Sequence, residues 1–345
     1  MRSSSRPRLD SSGQGPKIPK SKQLPALGTV VPLAEKRPKR DWAATNDRLR
    51  DQGDITILID TAILSSWRSH RRGRPYCEAV LYLAAVLRAS KNLTYRQLEG
   101  ELRGLLRTMK LPKSLAPDYS TLCRRLPYLE LPTLPASRGH ADEGVLVIID
   151  STGVRVTEAR GYLQDRSYCA DGRKVKYLKL HLGVDALTGE LCGYDITRAY
   201  GKGTGDSSVA PTVLREAKEW AERSNRHFSG GIGDGAYDAK DLYTLTRELG
   251  GTWLAPIPPD AKRGKDPDRN RHIVGVKRLG EQYHDRMGYH ERSCIEATNG
   301  ALKRTMRLSS RARSFETQAA EIAWQVLVYA MGLVRTPRVR PLAVT

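Results

Sequence analysis

Five consecutive apolar residues, Val145-Leu146-Val147-Ile148-Ile149, run straight into Asp150. A strand with one wet face alternates apolar and polar residues, whereas an uninterrupted apolar run belongs to a strand covered on both faces. That requirement predicts a layered α/β domain. The chain downstream supplies the other parts: strands at Val154–Thr157, Lys174–Val184 and Leu191–Thr197, with Gly and Asp as turn signals between them. A helix is expected from about Ser207 to Ser224, then a strand into Gly233, a helix near Ala239–Leu249 and a strand at Trp253–Ile257. A basic loop over roughly 258–288 and two helices, near 290–308 and 315–333, complete the pattern. Strands and helices in this order build a mixed sheet with helices packed on it. The expected domain spans 144–335, with 336–345 as a tail.

The upstream segment has a different period. Cys77–Ala89 is apolar on most sides, as in a buried helix. Thr94 followed by Gln97 forms a capping box, and Leu98, Leu102, Leu105, Leu106 and Met109 make an amphipathic stripe at spacings of three and four. Two prolines turn the chain within Lys110–Pro117, and a short helix starts at Asp118 with Ser120, Thr121, Arg124 and Arg125 on it. Two short helices so joined fit a helix-turn-helix that reads DNA, or a bundle that only packs. Residues 42–130 are thus a small all-α domain, 129–144 a linker, and 1–41, rich in Ser, Pro, Lys and Arg, a disordered basic arm.

Charge points to the partner. Lys and Arg number 58 against 38 Asp and Glu, a formal charge of +20. Such an excess attracts a polyanion and speeds encounter with it. The five cysteines (Cys77, Cys123, Cys169, Cys192, Cys294) include no C-x-x-C pair, which argues against a zinc knuckle or a disulfide framework. No apolar run approaches the roughly 20 residues that span a bilayer, and no signal-peptide core precedes Asp41. A cytoplasmic protein with no membrane partner is expected.

Three acidic residues are candidates for chemistry. Asp150 ends the apolar run, and Asp234 sits between glycines in Gly233-Asp234-Gly235-Ala236-Tyr237-Asp238. Each is also what a plain turn would use. Asp185 and Asp195 stand behind Asp150 as alternatives. Tyr289, Arg292, Glu296 and Lys303 fall within roughly 60° of one another if the segment is one α-helix, with Asn299 near their edge. Such a stripe is either a salt-bridged solvent face or, with Ile295, Leu302 and Met306 packing beside it, the wall of a site. Three carboxylates delivered by two strand ends and a helix suit Mg²⁺, a hard cation that takes oxygen ligands. Paired ions promote in-line phosphoryl displacement, and Arg292 and Lys303 could clamp the phosphodiester.

The run Tyr289-x-x-Arg292-x-x-x-Glu296-x-x-x-x-x-x-Lys303 resembles the Y-R-E-K signature of insertion-sequence transposases of the IS-four and IS-five kind. Ile149-Asp150-Ser151-Thr152 and Gly233–Asp238 look like that family's two other acidic motifs. Pro117–Thr121 with Arg124 and Arg125 is similar to the N-terminal region of IS-five-type members. The resemblance implies an RNase H-like catalytic domain. Asp150, Asp234 and Glu296 would be its metal ligands, Mg²⁺ the cofactor and Mn²⁺ its substitute. Tyr289, Arg292, Asn299 and Lys303 would contact DNA there, and Ser120, Thr121, Arg124 and Arg125 upstream. The implied activity is cleavage at terminal inverted repeats and strand transfer into target DNA by a dimer or larger assembly on the nucleoid. A regulator that binds without cutting and a structure-specific nuclease on the same fold are the alternatives.

Overall fold

The structure is a computed structural model that describes Ala43 and residues 61–70, 75–137, 142–156, 177–258, 260–280 and 282–334. The expected arm, the tail and Cys169 lie outside the described residues. Among the described residues, the upstream helices are α1 (Thr61–Ser69), α2 (Glu78–Lys91), α3 (Tyr95–Thr108) and α4 (Tyr119–Arg125). Thr94 and Gln97 form the expected capping box on α3, and Asp118 caps α4 by accepting from the Thr121 amide at 2.8 Å. The apolar stripe of α3 is buried at Leu98, Leu102 and Leu106. Residues 129–137 form neither helix nor strand beyond this point, yet they are tied down. The Trp220 indole donates to the Pro135 carbonyl at 2.7 Å, and the Ser137 amide to Ser224 Oγ at 2.9 Å.

The second half is a mixed sheet: β1 (Val145–Val156), β2 (Tyr177–Asp185), β3 (Leu191–Arg198), β4 (Phe228–Ile232), β5 (Thr252–Leu254) and the short β6 (Ser309–Ser310). Its order is β3-β2-β1-β4-β5, with β6 also on β1. β1, β2 and β3 are antiparallel neighbours, while β4 and β6 run parallel to β1 and β5 to β4. Helix α5 (Asp206–Arg223) covers one face, its Val213 lying over Gly183 and Gly193. On the other, α9 (Ser293–Met306) packs on β1 and β2, and α10 (Phe315–Val334) on β3 and β6. Val145, Val147, Ile148 and Ile149 are fully buried between these layers, as an uninterrupted apolar run requires. This is the expected mixed-sheet α/β architecture. The upstream helices join it: α2 packs on α10, Arg88 pairs with Glu321, and the Tyr82 ring meets Trp324 edge-on.

Three expectations are corrected. Asp150 does not end its strand, because the run and the expected strand at Val154 are one element, β1, whose backbone pairs with β2 from Val147 to Arg155. The segment 258–288 is not a loop: it contains α7 (Pro267–Leu279), capped by Asp266, and α8 (Gln282–Arg286). The helix near 290 begins later than expected. Tyr289–Arg292 forms a 3-10 turn, and regular α geometry starts at Ser293. The remaining helix, α6 (Lys240–Glu248), falls where the sequence placed it.

Candidate active site

Sheet register brings the first two carboxylates together. β1 and β4 are parallel, with Ile148 opposite Ile232, the last rung of their pairing. Asp150 and Asp234 each lie two residues beyond that rung, so both reach the same edge. Pairing along that side of β1 stops at Ile148 and resumes with β6 only at Arg155. Asp150 therefore sits where the sheet forks. Past β4 the chain turns at once, since Asp234 caps the 3-10 turn Gly235–Tyr237 by accepting from the Ala236 amide at 2.8 Å. Gly233 has a steric cause, because a Cβ there would come within 2.6 Å of the Tyr237 side chain and 2.9 Å of Trp253.

Helix α9 closes the site on the side away from α5. Asn299 is buried, and its amide Nδ2 lies 3.4 Å from Asp150 Oδ2. Its Oδ1 is also buried and has no hydrogen-bond partner. Ile295, Leu302 and Met306 are buried beside it, so the apolar edge expected of this helix holds the polar stripe against the sheet. Glu296 and Lys303 are exposed. Glu296 accepts from Arg292 Nη1 at 2.9 Å, an i,i+4 ion pair across the junction between the 3-10 turn and α9. Tyr289 is half-buried at the start of that turn. Tyr289, Arg292 and Glu296 thus remain near one another, without the four residues forming a single α-helical stripe.

The electrostatics link the same groups. Burial raises the Asp150 carboxyl above its ordinary value, the Ser151 amide and the Arg292 charge oppose this, and the charges of Asp234 and Asp206 add to it. Burial likewise raises the Tyr289 phenol, with Arg292 opposing and Asp234, Glu296 and Asp150 adding. Negative charge is therefore concentrated around Asp150 with little to offset it. Two neighbouring carboxylates and a buried, unpartnered amide oxygen form a donor set that suits a hard cation. Among the described residues, no three His, Cys, Asp or Glu side chains already converge tightly enough to enclose one, since Glu296 turns to Arg292.

The alternatives to Asp150 have other surroundings. Asp185 is fully buried and paired with Arg226 Nη1 at 2.8 Å, with Thr188 Oγ1 donating to it at 2.8 Å. Asp195 is on β3 opposite His181, on the α5 side of the sheet. In the upstream helices, Arg124 and Arg125 are exposed. Ser120 and Thr121 serve the α4 cap: the Ser120 hydroxyl donates to Asp118 Oδ1 at 2.6 Å and the Thr121 hydroxyl to Oδ2 at 3.1 Å.

Sequence reasoning missed two groups next to the site. Asp238, four residues after Asp234, receives Arg269 of α7 at 2.8 and 2.7 Å. Asp206, at the start of α5, receives Lys179 Nζ at 2.7 Å. Lys179 and His181 are polar residues within an otherwise apolar strand, but their partner was readable only as a helix-start residue.

Two family profiles, each described as a transposase DDE domain, match this chain, one over residues 142–331 and the other over 50–159. No curated protein matches it. Among solved structures, the Drosophila P element transposase strand transfer complex has a TM-score of 0.33 at 10% identity, covering 81% of this chain and 70% of that one. The Mos1 strand transfer complex has a TM-score of 0.26 at 12% identity, covering 79% and 82%. A simian T-cell lymphotropic virus intasome has a TM-score of 0.23 at 15% identity, covering 75% and 76%. These structural likenesses are slight, and the assignment rests on the sequence profiles. No described helix is long and apolar enough to cross a membrane. Since one profile alone spans more than half of its length, the chain belongs to the DDE transposase family, DNA transposases that cut and join DNA.

Proposed function

We propose that Asp150, Asp234 and Glu296 are the metal-binding carboxylates of this transposase, that Mg²⁺ is the physiological ion with Mn²⁺ as substitute, and that the substrate is the terminal inverted repeat of its own element. DDE transposases generally depend on a divalent metal. The observation that carries the reading is the register: Asp150 and Asp234 lie equally far beyond the last β1–β4 rung, with Asn299 of the Glu296 helix against Asp150. When bound, the ions supply Lewis acidity to an attacking water or 3′-hydroxyl and to the leaving oxygen.

The chain's own residues do the rest. The Ser151 amide donates to Asp150 Oδ1 at 2.9 Å and Asn299 approaches Oδ2, which fixes the carboxylate's orientation. Arg292 releases Glu296 when a phosphodiester takes its place, because a phosphate accepts the guanidinium fork through two oxygens, whereas Glu296 meets it through Nη1. Lys303, two turns further along α9, neutralises a neighbouring phosphate, and Tyr289 packs at the mouth. The Y-R-E-K spacing supports membership of the IS-four and IS-five kind. Residues 42–130 act as the DNA-reading segment, with Arg124 and Arg125 on the exposed side of α4, and 144–335 as the catalytic domain. Two ends must be held for strand transfer, so the active species is a dimer or larger assembly on DNA in the cytoplasm.

The test is Glu296→Ala assayed on a duplex carrying the element's end. Cleavage in Mg²⁺ should be lost while end binding in a gel shift is kept. Cleavage at the wild-type rate would overturn the assignment.

A further inference from the structure

Beneath Asp150, on the α5 side of the sheet, lies a polar cluster that the ligand set does not use. Ser151, His181 and Asp195 are directly opposite one another across β1, β2 and β3, so their side chains share one face. Gly183 and Gly193, under Val213, lie on that same face, which places it against α5. Asp206 opens α5. It accepts from Lys179 Nζ at 2.7 Å and lies 3.5 Å from His181 Nδ1. His181 is fully buried, and its Nε2 is 3.0 Å from Thr197 Oγ1. Burial pushes His181 down to about 4, against the pull of Asp206, so the imidazole is neutral at neutral pH. Burial opposes ionisation of Asp206, but hydrogen bonds from Lys179 and Ser151 and the Lys179 charge prevail and hold its carboxyl below the ordinary value. Asp206 is therefore a carboxylate kept ionised beside a site that is already rich in negative charge.

We propose that Asp206 is a positioning residue for the metal site: held by Lys179, it anchors Ser151, whose amide orients Asp150, and it lends its negative charge to the site from the opposite face of the sheet. The inference rests on Asp150 being a ligand. Asn299 approaches Asp150 from the α9 side, and on the other side Ser151 lies directly opposite His181, whose Nδ1 is 3.5 Å from Asp206. Asp206 itself does not reach a ligand, since β1 lies between.

The charge reading separates two variants that break the same ion pair. Asp206→Asn removes the negative charge and leaves Lys179 uncompensated. Lys179→Met breaks the pair but keeps the negative charge. The full chain, without DNA, is titrated with Mn²⁺ and free ion is read by electron paramagnetic resonance, with thermal melting as the folding control. Asp206→Asn should weaken Mn²⁺ binding by about tenfold, and Lys179→Met should leave it equal or tighter. Asp206→Glu should recover part of the loss. Weakening of both variants alike would show an ion pair of structural value only and overturn the proposal, as would unchanged binding by a folded Asp206→Asn. Should Asp206→Asn fail to fold, Ser151→Ala breaks the link to β1 alone, and unchanged Mn²⁺ affinity in it is the overturning result. Asp150→Asn keeps the two readings apart. If it retains wild-type affinity, or the wild type binds no Mn²⁺, the ligand assignment falls and this inference with it. If it loses binding while Asp206→Asn does not, only this inference falls.

Discussion

A carboxylate inside a sheet must have its charge offset or carry a standing cost, and Asp185 and Asp150 illustrate the two cases. Asp185 and Arg226 are both fully buried, 2.8 Å apart, and the guanidinium's other nitrogens donate to the carbonyls of Glu143 and Gly144. Asp150 has one good donor, the Ser151 amide, and a long contact to Asn299. Removing one partner of a buried pair strands the other charge, which costs about 3–5 kcal/mol. Asp185→Asn should therefore lower stability by that amount in urea unfolding, while Asp150→Asn folds normally and fails to cut DNA. Wild-type stability in Asp185→Asn would refute the structural role. Sequence reading kept Asp185 in reserve behind Asp150 because both are acidic residues following apolar strand residues. What separates them is Arg226, distant in sequence and brought near only by folding. Glu296 was singled out on a different ground, since the residues spaced around it lie in one local segment.

At the scale of elements, α7 and α8 form a brace between the loop that carries Asp234 and the turn that carries Tyr289. Arg269 of α7 grips Asp238 with two nitrogens. A Cβ at Gly275 would come within 2.1 Å of the Tyr283 ring, so the glycine lets α8 lie directly on α7. His272 Nδ1 and the Tyr283 hydroxyl are 2.9 Å apart, and the rings of Tyr283, His284 and Tyr289 follow at centroid separations of 5.9 and 5.8 Å. Arg269→Met keeps most of the aliphatic bulk and strips Asp238 of its partner. Cleavage by this variant should fall by at least tenfold with end binding nearly unchanged, because the Asp234 loop loses its anchor but no DNA contact is removed. Equal losses in both assays would contradict the brace. This brace was read as a basic loop for a physical reason. The buried residues of α7 are His272, Ile273 and Gly275, which present no apolar stripe for periodicity to detect. The Asp266-Pro267 pair was the available signal, a helix cap followed by proline at the first position.

For the whole molecule, the succession of strands and helices along the chain was legible, and the extent of the first strand was not. The run Val145–Ile149 announced a strand buried on both faces, but nothing in its composition said that β1 would continue to Val156 with Asp150 in its middle. That continuation depends on pairing with β2, a long-range contact. The same burial that hides polar groups in this core sets its response to acid. Burial pushes His181 and His272 both down to about 4, against an ordinary value of 6.5. A histidine depressed on folding takes up its proton more readily when unfolded, so its contribution is complete above pH 6.5 and is lost as pH falls toward 4. For His272 the full loss is on the order of 3 kcal/mol. Asp150, Asp195 and Glu216, each raised by burial, act in the opposite sense, since they bind protons more tightly in the folded protein and favour it as pH falls. The two sets partly cancel in the wild type, so the difference between proteins is the informative quantity. Thermal midpoints of wild type and His272→Gln should be furthest apart at pH 7 and converge by about pH 4.5, because the variant has no proton to take up at that site. Parallel curves across this range would mean that His272 keeps an ordinary proton affinity in the folded chain, and the ring ladder from α7 to Tyr289 would then lack the dry interior that its packing implies.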